Sequence, residues 1–177
     1  MGFKRVYTNK KYKSKIFELE FRDYLDDKEE LHKDIAVLRS KDAANVVPIT
    51  IDNNILLVRQ FRFGIEDYTL EIPGGLLEPN EDRMLAVQRE LLEETGYTAT
   101  NWKHLGSVYS NPVFIDCEIH HFIAYEATKT AQQELDFDEE IEIVEMPIET
   151  VYNRLDEGLF KHPHTVAALQ LARQYLI

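Results

Sequence analysis

Apolar and polar positions along the chain follow two rhythms, one of period two and one near 3.6 residues, and the switches between them lay out the elements. From Lys15 to Tyr24, Phe17, Leu19 and Phe21 alternate with Glu18, Glu20 and Arg22, which predicts a strand whose charged side is wet. A polar turn, DDKEE, follows, and Leu31 to Leu38 returns as a second strand, giving an N-terminal β-hairpin. Ala44 to Ile51 and Ile55 to Phe63 are dense in Val, Ile and Leu and are joined by the turn formers Asp52, Asn53 and Asn54, so they read as central strands. Tyr68 to Ile72 is a short strand running into Pro73-Gly74-Gly75, where glycine permits a close approach of the backbone to a ligand. Trp102 to Tyr109 and Ile119 to Ala127 are strands on either side of the loop SNPVFIDC, and Ile141 to Met146 is the last strand. The helical rhythm holds in the stretch after Asp82, from Ile148 to Glu157, and from Thr165 to Leu176, where Val166, Leu169, Ala172 and Leu176 share a face. The alternation predicts an α/β architecture with helices on both sides of a mixed sheet.

The chain has 177 residues, the size of one domain, and we expect a single domain over 1–177 with 1–40 as an N-terminal β extension. The formal net charge of -12 argues against a nucleic-acid partner, and the basic segment KRVYTNKKYKSK reads as a solvated edge. With the single cysteine Cys117 no disulfide can close within the chain; neither a signal-peptide core nor a bilayer-spanning apolar run is present, so a cytoplasmic protein without a membrane partner is expected. The HPH run at 162–164 and the His120-His121 pair lack spaced cysteines or an HExxH pattern, and no zinc site is read from them.

The chemistry concentrates after Gly75. Glu90, Glu93 and Glu94 stand at i, i+3 and i+4, on one side of a helix within a turn of each other. Three like charges at that spacing destabilise a bare helix, and an oxygen-only set that gains from neutralisation points to Mg2+, with Mn2+ as the alternative. Leu85, Leu91 and Leu92 offer the helix a face to bury, Pro79, Asn80, Glu81 and Asp82 offer its cap, and Gly96 its end.

The stretch GLLEPNEDRMLAVQRELLEETGY resembles the Nudix box, G-x5-E-x7-R-E-U-x-E-E-x-G-U, at Gly75, Glu81, Arg89, Glu90, Leu91, Glu93, Glu94, Gly96 and Tyr97, with Tyr97 the loosest fit. The resemblance implies the Nudix α/β/α sandwich, here with an N-terminal β-hairpin extension, and hydrolysis of a diphosphate linkage by water. It implies Glu90 and Glu94 as principal metal ligands, Glu93 as a further ligand with a catalytic part, the Gly74 carbonyl as a backbone ligand, Arg89 as the residue that orients the glutamates, and Glu81 as a brace of the loop-helix junction.

Segments outside the box narrow the substrate. RQFRFG (59–64), LEIPGG (70–75) and Pro112, 16 residues beyond Gly96, are similar to the ADP-ribose and nucleoside diphosphate sugar pyrophosphatases of this family. On that likeness Arg62 contacts the diphosphate or sugar, its fork suiting phosphate oxygens, with Arg59 and Pro112 as further substrate-binding candidates. One departure stands in the same region: relatives with PGFSDE carry a glutamate where this chain, reading PVFIDCE, has Cys117, and Glu118 is one residue out of register. LDFDEEIEIV resembles the segment that carries another catalytic glutamate, which selects Glu139 as base or added ligand, with Asp138 and Glu140 beside it. The branch implies a homodimer built with the N-terminal strands, and Tyr7, Phe17 and Phe21 are the aromatic platforms open to a base. Two other activities are weighed: hydrolysis of nucleoside triphosphates or dinucleoside polyphosphates, and ADP-ribose sensing without cleavage, which the intact box carboxylates disfavour.

Overall fold

The computed structural model describes residues 2–137 and 139–177. The chain divides into two compact units, Met1–Asp42 with Tyr109–Glu118, and Ala43–Val108 with Ile119–Ile177.

The first unit is an antiparallel sheet in the order β1 (Lys4–Lys13), β2 (Phe17–Leu25), β3 (Leu31–Ser40). The expected hairpin is therefore a three-stranded meander. The basic segment expected as a mere edge is β1, almost wholly exposed and held by its ladder to β2 rather than by burial. The wet side of β2 is also the reverse of the expectation. Glu20 and Arg22 are buried, whereas Phe17 is exposed and Leu19 and Phe21 are half-buried beside a groove of about 370 Å³ shared with Lys10, Tyr12 and Asp34. The cause is an ion network: Arg22 Nε donates to Glu20 at 2.6 Å and Nη2 to Asp116 at 2.8 Å, while Lys11 reaches Glu20 at 2.7 Å. The Lys11 ammonium, ahead of Arg22, holds the Glu20 carboxyl down at about 2 against the opposing effect of burial. The loop 109–118 belongs to this unit, tied to β3 where Leu38 N–H donates to the Phe114 carbonyl and Asp116 N–H to the Leu38 carbonyl. Pro112 lies in that loop and is exposed; Cys117 follows it as a buried free thiol, its pKa raised by burial.

The second unit holds a mixed sheet, eight-stranded among the described residues, with a spine in the order β11 (Ile141–Pro147), β5 (Asn54–Arg62), β4 (Ala43–Thr50), β10 (Glu118–Lys129), β8 (Tyr97–Thr98). The β4 and β10 strands run parallel; β8 on β10, β11 on β5, β4 on β5, β7 on β4 and β6 on β5 are antiparallel. Past their turn β4 and β5 part, and β6 (Asp67–Glu71) pairs with β5 while β7 (Gly74–Leu76) pairs with β4. β9 (Asn101–Tyr109) lies on β10. Consecutive strand residues point to opposite faces, and both faces are covered. Val46, Leu56 and Phe122 pack with Val87 and Leu91 of α1 (Arg83–Thr95). Their neighbours Val47, Leu57 and Ile123 pack with Val151 and Leu155 of α2 (Ile148–Asp156) and Ala168 and Leu169 of α3 (Pro163–Ala172). Leu91 is completely buried, and its replacement by Ala would cost roughly 2–5 kcal/mol. Leu85, expected on the same face, is 61% exposed, because six residues before Leu91 place it about 240° around the helix. No helix among the described residues is long and apolar enough to cross a membrane.

Candidate active site

The α1 helix begins where Asp82, in extended conformation, accepts the N–H groups of Met84 and Leu85, and ends at Gly96, whose φ of 73° closes the last turn through its N–H to the Leu92 carbonyl. The buried stripe of Ala86, Val87 and Leu91 sets the rotation of the helix. Glu94, seven residues after Val87, falls on that stripe and is only 3% exposed; Glu90 is partly buried beside it, and Glu93 lies further out.

Arg89 joins the carboxylates. Its Nη1 donates to Glu90 at 2.7 Å and to Glu93 at 2.9 Å, its Nε and Nη2 grip the two Glu81 oxygens at 3.0 Å each, and Nη2 also reaches the Leu76 carbonyl. Glu81 in turn accepts the Glu78 N–H, so it braces the loop before the helix, as the sequence suggested. On the other side Glu94 accepts the Gly74 N–H at 2.8 Å. Gly74 has a φ of 153°, and a Cβ there would collide with the Ala44 carbonyl and Asn45. Gly75 lies against the Glu90 carboxylate, where a Cβ would stand 2.5 Å from its Cδ. Two glycines thus let the β7 backbone come flush against two carboxylates.

Burial raises the Glu94 pKa well above the carboxylate range, with Glu90 and Glu139 adding repulsion that the Gly74 N–H only partly offsets. Burial also raises Glu90 despite the Arg89 guanidinium, and Glu93 and Glu139 push the same way. Carboxylates that hold their charge at such a cost are a good fit to a hard divalent cation, which restores the anionic form of all of them at once.

Glu139 comes from outside the box. Gln133 Nε2 donates to the Glu94 carbonyl at 2.6 Å, Glu134 N–H to the Glu93 carbonyl, and Thr130 and Ala131 N–H to the Gly96 carbonyl, so the loop before β11 is laid across the end of α1. Glu139 there acts electrostatically on Glu90, Glu94 and Arg62. Asp138 lies outside the described residues, and Glu140 turns to the Tyr68 hydroxyl at 2.9 Å. Gln133, which anchors the loop, carries no signal in the sequence beyond its polarity.

Arg62 sits in the same field, half-exposed, with its Nε and Nη2 bound to Glu71. Burial opposes the charge of Arg62, but the Glu71 bond and the fields of Glu71, Glu94 and Glu139 raise its pKa. Arg59 is not brought to this cluster: its guanidinium lies 3.9 Å from the Tyr68 ring centre and 3.3 Å from Glu142. Pro112 is in the first unit, and Tyr7, Phe17 and Phe21 are on its sheet.

Residues 39–169 match the NUDIX domain. The chain is 33% identical to the ADP-ribose pyrophosphatase of Bacillus subtilis (strain 168) and 34% identical to the methanol dehydrogenase activator of Bacillus methanolicus, in each case over 135 residues that cover 76% of this chain and 73% of the relative. A solved structure, titled as that of an ADP compounds hydrolase, superposes with a TM-score of 0.84 at 24% identity, over 99% of this chain and 95% of the other, and carries the likeness of fold. With Arg89, Glu90, Leu91, Glu93 and Glu94 of the box on one helix, and with these matches, the chain belongs to the Nudix family.

Proposed function

We propose that the chain is a Mg2+-dependent pyrophosphatase that cleaves the diphosphate linkage of ADP-ribose, or of a related nucleoside diphosphate sugar, to a nucleoside monophosphate and a sugar phosphate. The observation that carries this is the pairing of the buried Glu94 and the partly buried Glu90 with an unspent guanidinium edge on Arg62 in the same electrostatic field. The name of the Bacillus subtilis relative, an ADP-ribose pyrophosphatase, supports the substrate class.

Glu90, Glu94 and Glu93, with the Gly74 carbonyl, would hold the cation; Mn2+ is the alternative to Mg2+. When bound, the cation supplies charge neutralisation for the diphosphate oxygens and lowers the pKa of water. The chain's own residues do the rest. Arg89 fixes the carboxylate geometry through five hydrogen bonds to Glu81, Glu90, Glu93 and Leu76. Arg62 receives the diphosphate or the sugar, and Glu139, on its anchored loop, takes the proton of the attacking water or adds a ligand. Arg59 and Pro112 remain candidates for the periphery of the substrate.

The chain works, on this reading, as one Nudix domain with a β extension in 1–40, in the cytoplasm and as a homodimer; the exposed Tyr7, Tyr12, Phe17 and Ile35 of the first unit support an extension that packs on a second copy. Light scattering tests the dimer. The activity is tested by phosphate-coupled hydrolysis of ADP-ribose, GDP-mannose, diadenosine polyphosphates and nucleoside triphosphates, with Mg2+ and with chelator. Turnover of a nucleotide sugar that chelator abolishes is expected. Preference for triphosphates would overturn the substrate class, and stoichiometric binding of ADP-ribose without products would overturn catalysis.

A further inference from the structure

Glu71 is a carboxylate in an unlikely place. It is 1% exposed, at the end of β6, three residues before Gly74, and no reaction step described above uses it. Three hydrogen bonds nevertheless hold its two oxygens. Oε1 accepts Arg62 Nε at 2.7 Å and the Thr69 hydroxyl; Oε2 accepts Arg62 Nη2 at 2.6 Å and lies 3.2 Å from His162 Nδ1 at the start of α3. The same end of α3 takes the Ile72 N–H on the Thr165 hydroxyl, so the strand that carries Glu71 is fixed on both sides of the carboxylate. Burial pushes the His162 pKa down to about 4 in spite of Glu71, so His162 is neutral at pH 7; its Nδ1 lies 3.2 Å from the Thr165 hydroxyl as well as from Glu71, and the negative charge of Glu71 is balanced by Arg62.

The grip is two-pronged, on the Nε and Nη2 edge. A guanidinium held at that edge has one orientation, and it keeps Nη1, which has no hydrogen-bond partner among the described residues, for something else. Glu94 and Glu139 also attract the guanidinium. An arginine without a tether is free to turn toward carboxylates that attract it, where it would compete with a cation.

We infer that Glu71, held by Thr69 with His162 packed beside it, is a positioning residue that holds Arg62 facing the substrate and away from the carboxylates of the cation site. The inference rests on the pyrophosphatase reading for the role of Arg62 toward substrate; its second half, the protection of the cation site, rests on the two-pronged Arg62–Glu71 grip together with the attraction of Glu94 and Glu139 for the guanidinium.

The test is Glu71→Gln, which keeps shape and removes the charge. With ADP-ribose and Mg2+, KM rises about tenfold, the effect of losing one charge-assisted contact, while kcat at saturating Mg2+ stays within about threefold of wild type. The Mg2+ concentration for half-activation rises as well. In Arg62→Gln/Glu71→Gln, KM is no higher than in Arg62→Gln alone, because Glu71 acts only through Arg62. Independent effects of the two substitutions would overturn the inference, as would an unchanged KM in Glu71→Gln. Should Arg62→Gln fail to fold, leaving Glu71 buried and uncompensated, Glu71→Gln decides by itself through its Mg2+ requirement, which a merely structural role would leave unmoved. Direct Mn2+ binding, followed by the electron paramagnetic resonance of the free ion, separates this inference from the activity: binding weakened severalfold in Glu71→Gln supports it even if wild type turns over no nucleotide sugar, and equal binding sinks it.

Discussion

Gly75→Ala isolates the metal-ligand geometry from the rest of the fold. Gly75 does not have a positive φ, so alanine is acceptable to the backbone. The new methyl group would stand 2.5 Å from Glu90 Cδ and 2.6 Å from each of its carboxylate oxygens. Carbon and oxygen atoms in contact need about 3.5 Å, so the Glu90 carboxylate must retreat by roughly 1 Å. It is the free end of a flexible side chain, and the retreat costs about 1 kcal/mol of rotamer strain at most, so the melting temperature changes little. The function does not escape so lightly. The carboxylate leaves the Arg89 bond of 2.7 Å and its alignment with Glu94, and a displacement of about 1 Å in a catalytic group costs on the order of a hundredfold in rate. The assay is hydrolysis of ADP-ribose across a Mg2+ titration, with Gly64→Ala, where a methyl group meets nothing within 4 Å, as the matched control. A hundredfold fall in kcat together with a raised Mg2+ requirement is expected for Gly75→Ala alone. Activity within twofold of wild type at unchanged Mg2+ dependence would refute the placement of Glu90 on the cation.

Three further outcomes are expected. Glu94→Gln lowers turnover by at least about a hundredfold, yet stabilises the metal-free protein by roughly 1 kcal/mol and so raises its melting temperature, because it removes a buried carboxyl whose ionised form repels Glu90 and Glu139; a lower melting temperature would contradict the electrostatic account. His121 is fully buried, donates through Nδ1 to Asn45 at 2.6 Å and has no partner for Nε2 among the described residues, and burial pushes its pKa from 6.5 down to about 4. The unfolded chain therefore binds a proton that the folded chain refuses, so stability is lost as pH falls from about 6.5 to about 4, by up to roughly 3 kcal/mol for this residue, and urea melts of His121→Asn show a flatter pH slope over that window. Arg22→Ala leaves the buried Glu20 with fewer partners and frees Asp116, costs about 3 kcal/mol within the first unit, and accelerates amide exchange in 109–118; unaltered exchange would show that the ion network does not hold that loop.

The parts of the site that were legible in the sequence are those whose geometry is local. Glu90, Glu93 and Glu94, their orienting Arg89 and the two ends of α1 are determined by helical spacing and by residues at most a few turns apart. Other parts depend on partners distant along the chain. Glu71 falls within the LEIPGG segment, but nothing local says what it holds until β6 turns back along β5 and sets it beside Arg62. In RQFR the resemblance favours Arg62 over Arg59, and the sheet gives the physical reason, sending Arg59 to Tyr68 and Glu142 and Arg62 to Glu71. The polarity of β2 was inverted for the same reason: alternation reveals a strand and its two sides, but which side is buried depends on whether its charges find counter-charges, and Asp116, 94 residues after Arg22, is invisible to a local pattern. Leu85 was misplaced by counting leucines instead of angles.

The proposed cation ligands are contiguous, all within Gly74 to Glu94, whereas Arg62 arrives from the β5–β6 hairpin and Glu139 from the loop over the end of α1. Reaction and selection are therefore inherited separately. A lineage can exchange the hairpin or the loop, and with it the molecule that is cut, while the helix that does the cutting passes unchanged from one descendant to the next. In the laboratory the same division makes the two outer segments the natural places to graft, and makes the stretch between the two glycines the one to leave alone.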